Sequence, residues 1–187
     1  TNMSSWGANT SDESKPKWLT AEDKEKTFAD NRGWVYTHAN GLEEVIVAIG
    51  ELAGADKLAA ATISSVKFVT DALTADDTTI TVDVTWNEAV TVTGSPQITV
   101  ANGDESGDAN GDYTLTYTGT GSTKNKKRFT ATGLTLSATD VLTFGGAGSA
   151  NVALNSGSLK DTADGTTDAQ LVTTAVTAQT VTVAAGA

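Results

Sequence analysis

Residues 80–100 read ITVDVTWNEAVTVTGSPQITV, and the alternation inside this stretch decides the fold class. Ile80, Val82, Val84 and Trp86 alternate with Thr79, Thr81, Asp83 and Thr85. Successive side chains of a strand point to opposite faces, so this period of two predicts a strand with one face buried and the other wet. Gly94-Ser95-Pro96 ends the run, and Ile98 with Val100 starts the next. Tyr113, Leu115 and Tyr117 alternate with Thr114, Thr116 and Thr118 in the same way. Val66 with Phe68, Phe129 with Ala131, Leu142 with Phe144, and Val181 with Val183 supply further strands. Turn clusters at 74–77, 102–112, 119–125 and 145–149 separate them.

Short strands at this spacing predict a mainly β chain with an immunoglobulin-like β-sandwich over residues 62–187. The composition agrees. Thr is the commonest residue, its branched Cβ suits a half-wet sheet, and only two Pro occur in 187 residues. There is no Cys, which removes disulfides, thiolate metal sites and thiol nucleophiles together. Trp86 is therefore expected to fill the core centre that a disulfide would otherwise occupy.

The formal net charge of −11 argues against nucleic-acid binding, which depends on Lys and Arg displacing counterions from phosphates. The one basic run, KNKKR at 124–128, reads as a solvated hairpin end, with an acidic partner surface as the sharper alternative. The longest apolar stretch, 45–49, is far short of the ~20 residues that span a bilayer, so no membrane partner is expected. The opening TNMSSWGANTSDESK lacks a basic start and an apolar core, so no secretory signal is expected there.

Residues 1–61 follow a different grammar and are read as an anchoring arm, a short helix and a β-hairpin. They hold three of the four Trp. Trp6 and Trp18 stand in a polar stretch and are costly to leave in water, so they are expected to dock on the rest of the fold or on a partner chain. Thr20 followed by Asp23 predicts a helix start, Glu22–Lys26 adds an i,i+4 pair, and Arg32-Gly33 is read as the helix end with Phe28 as its inward anchor. Trp34-Val35-Tyr36, Asn40-Gly41 and Val45-Ile46-Val47 predict a hairpin closed by a type I′ turn. Residues 50–61 are read as a short helix or a linker.

Two resemblances follow from quoted phrases. WNEAV at 86–90, with Gly94-Ser95-Pro96 after it, and GSLKD at 157–161 resemble the signature phrases of bacterial-type immunoglobulin-like domains, which recur in large surface adhesins. SSWG at 4–7, KPKWL at 15–19, RGWVY at 32–36 and NGLEEVIVAIG at 40–50 resemble small virion proteins of tailed bacteriophages infecting marine cyanobacteria. Together they imply a capsid decoration or minor head protein on the outer surface of the virion. Its partner would be the major capsid protein or another virion protein, its state a homo-oligomer, and a host-surface glycan its outward target. A tail fibre or baseplate component and a cellular adhesin fragment are the alternatives. The expected anchors are Trp6, Trp18, Phe28, Trp34 and Tyr36.

Enzymatic chemistry is not expected. The single His38 lies beside a turn, no Cys is available, and no phosphate-binding glycine loop occurs, so neither a nucleophile–base pair nor a nucleotide cradle can be assembled from motifs. No cofactor is expected. Calcium is the one ion considered, at Asp104, Glu105, Asp108, Asn110 and Asp112 and at Asp161, Asp164 and Asp168, because it takes hard oxygen ligands. The first loop opens like an EF-hand but has Tyr113 where Gly is needed and Gly119 where a bidentate Glu is needed, so solvated turns are the plainer reading.

Overall fold

The computed structural model describes residues 15–54, 57–104 and 111–187. The chain is mainly β, and its antiparallel sheets form a sandwich that approaches a barrel. The larger part comprises β4 (Ile63–Phe68), β5 (Thr79–Trp86), β6 (Val90–Thr93), β7 (Gln97–Asp104), β8 (Tyr113–Thr118), β9 (Lys126–Thr132), β10 (Asp140–Phe144), β11 (Ser158–Asp161) and β12 (Gln179–Thr182). Seven of these run in the order β12-β10-β7-β8-β9-β5-β4, and β6 pairs with β11. β7 pairs with β8 through residues 97–100 and with β10 through residues 101–104. It therefore extends into the stretch 102–112 read as a turn, because Ala101 to Asp104 find a ladder partner in β10. Beyond β12, Ala184 bridges Thr74, which brings the end of the chain back to the start of the sandwich.

Alternation built the core as expected along β5, where Ile80, Val82, Val84 and Trp86 are fully buried in one cluster with Phe129, Leu142 and Phe144. Trp86 donates its indole N–H to the Gln170 carbonyl at 3.0 Å, so the polar edge of the ring is satisfied inside the core. The opposite face of β5 departs from the expected wet face, since Asp83 and Thr85 are buried as well. Asp83 can be buried because Arg128 grips it through two bonds of 2.8 and 2.9 Å, with Lys126 at 3.3 Å.

Residues 20–48 form a separate three-stranded antiparallel sheet, β1 (Thr27–Asp30), β2 (Gly33–Thr37) and β3 (Glu43–Ala48), preceded by α1 (Ala21–Glu25). Thr20 caps α1 by accepting the Asp23 N–H, and Lys26 pairs with Glu22 at 2.7 Å, both as read from sequence. The helix stops at Glu25 rather than at Arg32. Thr27 to Asp30 instead pair with residues 33–36, and Asn31-Arg32 is the turn of a hairpin. Phe28 is thus a strand residue. Local signals were those of a helix start, and the sheet partner that overrode them lies beyond the helical window.

The β2–β3 hairpin has the expected partners, Trp34 with Val47 and Tyr36 with Glu44, but a longer turn. His38 N–H bonds to the Leu42 carbonyl, Gly41 N–H bonds to the His38 carbonyl, and only Gly41 of the turn pair has positive φ, at 82°. That is a three-residue loop with glycine at its left-handed position, not a two-residue type I′ turn. Residues 50–54 and 57–61 hold neither helix nor free linker. They form turns that bury Leu52, Ala53 and Leu58 against Trp34 and Ala29.

One buried cation makes a stability prediction. Lys127 is 7% exposed, and burial pushes its amine down to about 8 while it donates to the Thr123 carbonyl at 2.7 Å. Between about pH 8 and 10.5 the unfolded chain holds a proton there that the folded chain has released, so this residue's contribution rises with pH in that window. Below it, the folded state carries the full cost of a buried charge. Lys127→Met is expected to stabilise the protein by about 2 kcal/mol at pH 7, with the gain shrinking towards pH 10.5, as read by urea denaturation of both proteins across that range. A gain independent of pH would contradict the assignment.

Candidate functional site

The three-stranded sheet is joined to the sandwich along a hydrogen-bonded seam. Ala29 N–H donates to the Asn87 carbonyl at 2.8 Å, and Ala29 bridges Glu88 in parallel, so β1 lies along the turn between β5 and β6. Asn87 ties the chain's crossover residue on both sides: its N–H donates to the Thr62 carbonyl at 2.9 Å, and its Oδ1 accepts the Thr62 N–H at 2.7 Å. Phe28 and Val35 close over Ala89 on one face of the sheet. At the rim, Glu43 of β3 takes Lys124 at 2.6 Å and Arg32 at 2.8 Å, and these two cations hold its carboxyl below the usual range. The first lysine of the KNKKR run thus meets an acid of the same chain, and Arg128, the last residue of the run, meets Asp83. A cleft of about 290 Å³ opens at this seam, with Asp30, Arg32, Lys124 and Asp161 in its walls.

Beneath the seam lies a buried acid pair. β6 and β11 pair in the register Val90 with Asp161 and Val92 with Leu159, which brings the phrases WNEAV and GSLKD together across some seventy residues of sequence. Gly157 enables this approach, because a Cβ there would collide with the Thr93 carbonyl oxygen and crowd Gly94. Glu88 is 0% exposed and Asp161 is 1% exposed. Among the described residues, Glu88 Oε1 and Oε2, Asp161 Oδ2 and Asn87 Nδ2 lack a hydrogen-bond partner, although Asn87 and Asp161 both lie close enough to Glu88 to act on its carboxyl. Burial first, and the neighbouring Asp161 charge second, push Glu88 up to about 9. Burial also raises Asp161, against the pull of the Ala163 N–H, which it accepts at 2.8 Å.

The residues expected as anchors separate into distinct environments. Trp6 lies outside the described residues. Trp18 is 71% exposed, beside α1. Phe28 and Trp34 are each 1% exposed and cannot offer their rings to a partner, a correction that follows from Ala89 of the sandwich covering Phe28 and from Leu52, Ala53 and Leu58 covering Trp34. Tyr36 is half-buried: its hydroxyl donates to Asp23 at 3.2 Å and its ring meets His38 edge-on at 4.9 Å, so it holds α1 to the sheet. Leu42 and Val45, not among the anchors expected from sequence, join Trp18 as exposed large apolar side chains.

Among the described residues the acidic loops do not assemble as a metal centre. Glu105, Asp108 and Asn110 lie outside the described residues. Asp161 faces Glu88, Asp164 caps its own turn by accepting from Thr166 and Thr167, and Asp168 pairs with Lys160 at 2.5 Å. No cluster of three or more His, Cys, Asp or Glu that could hold a metal occurs among the described residues. Nothing local in WNEAV marks Glu88 as buried, so the sequence does not single it out as a site residue. Comparisons with protein-family models, with curated proteins and with solved structures find no match to the chain.

Proposed function

We propose that the protein is a non-enzymatic structural component of a phage particle, held to the shell by its N-terminal segment and displaying the sandwich outward. The observation that carries this reading is Trp18. A tryptophan 71% exposed at the edge of an otherwise well-packed body is a large apolar surface that the described residues leave uncovered. Aromatic side chains in this position are the commonest energetic anchors of protein interfaces. With Phe28 and Trp34 sealed, Trp18 is the exposed ring among the expected anchors in the described residues, and Leu42 and Val45 of the same segment are exposed as well. The seam gives the segment a rigid connection to the sandwich, so a force or a partner acting on one part is passed to the other through hydrogen bonds rather than through a loose tether.

The test is binding to particles that lack this protein. Trp18→Ala is expected to weaken attachment at least tenfold while leaving the melting temperature within a degree or two, since a surface substitution rarely shifts stability by more than about 0.5 kcal/mol. A variant that decorates particles as well as the wild type would remove the anchoring role. Binding to isolated cells but not to particles would favour adhesion instead.

A further inference from the structure

We infer that Glu88 and Asp161 share a single proton, and that this proton locks the three-stranded sheet onto the sandwich. The inference starts from the four orphaned polar atoms at the seam, Asn87 Nδ2, both Glu88 oxygens and Asp161 Oδ2. Leaving buried polar atoms unpaired is costly, so two facing carboxyls with unpaired oxygens call for an explanation. One proton on Glu88 supplies it. The protonated Glu88 oxygen donates to Asp161 Oδ2, which pairs two of the four atoms, and Asp161 Oδ1 already accepts from Ala163 N–H. The carboxyl–carboxyl contact is then bonded rather than repulsive, and the net charge buried at the site falls from two to one.

The surroundings favour the proton over a second negative charge. The charges acting on Glu88 come from Asp161 on β11 and from Asp164 in the loop after it, both acidic. β1, packed against residues 87–89, contributes Phe28 and Ala29 at the contact, while Asp30, Arg32 and Lys124 stand further out, in the walls of the cleft. The folded-state value of about 9 lies above the ordinary glutamate value of 4.5. The contribution is therefore fully present below about pH 4.5 and is lost as pH rises through about 9. Because Asn87 and Glu88 carry the backbone contacts to Ala29, ionising the pair loosens the attachment of β1 before it disturbs the distant core.

Carboxyl-carbon NMR of the full chain tests both halves, with Glu88 assigned through bonds from its own backbone. The Glu88 signal is expected at its protonated position at pH 7, with a midpoint above pH 8. Protection of the Ala29 and Asn87 amides, corrected for intrinsic base catalysis, is expected to fall at least tenfold between pH 7 and pH 10. In Glu88→Gln, which keeps a donor towards Asp161, that fall is expected to vanish. A Glu88 midpoint below pH 6 would overturn the shared proton, and so would a midpoint that drops when calcium is added, since a cation would then be the missing partner. Titration above pH 8 with unchanged amide protection would overturn the lock. The wild-type measurement decides the matter even if the variant does not fold.

Discussion

Trp34→Ala is expected to remove about 3–5 kcal/mol of stability, a cost typical of deleting a buried aromatic ring, without touching any exposed surface. Trp34 is 1% exposed and packs with Ala29, Leu52, Ala53 and Leu58, all buried. Removing the indole leaves a void that these neighbours cannot close, because Ala29 is fixed by its bond to the Asn87 carbonyl and Ala53 by its bond to the Asp30 carbonyl. Hydrogen exchange should locate the damage: amides of β1 to β3 exchange faster, while those of β5 and β9 change least. Particle attachment measured below the unfolding transition should be unchanged. The contrast with Trp18→Ala is the point, since one tryptophan is expected to govern stability and the other attachment. A Trp34→Ala protein of normal stability that failed to bind would reverse the assignment and return this residue to the partner-facing set.

The two tryptophans differ in a property that sequence does not display. Both stand in short aromatic phrases with polar flanks, KPKWL and RGWVY. Trp34 is covered because β2 is the middle strand of three and because Leu52, Ala53 and Leu58 pack against it, and neither fact is local to position 34. Where a strand's own alternation carries the information, the reading succeeded, as at Ile80 to Trp86 and at Tyr113 to Tyr117. It failed where a distant partner decides. Phe28 sits in β1 because Val35 answers it across the hairpin, and Asp83 is buried because Arg128 reaches it from β9. The acid pair is the extreme case. Nothing local in the sequence joins Glu88 to Asp161 until the β6–β11 ladder, with Asp161 opposite Val90, brings their segments together. The only trace in the sequence was that each stands in a phrase resembling a domain signature, which identifies a position and says nothing of its protonation.

The core of the sandwich provides the second large effect. Trp86→Ala is expected to destabilise by about 3–5 kcal/mol, against a total of about 5–15 kcal/mol for a typical domain, so the variant should approach the limit of folding at 37 °C. Trp86 is 0% exposed at the end of β5, opposite Ile63 of β4, and its backbone N–H donates to the Asn125 carbonyl. A second substitution separates packing from hydrogen bonding. Trp86→Phe keeps much of the ring but strips the bond to the Gln170 carbonyl, and is expected to cost about 1–2 kcal/mol beyond the smaller loss in volume. Both are read from urea midpoints at constant m-value. Because Trp86 directly precedes Asn87 and Glu88, the Phe variant carries a further consequence. If the indole also sets the position of that turn, protection of the Ala29 amide should fall more than the global loss predicts, and equal losses would confine Trp86 to the sandwich core.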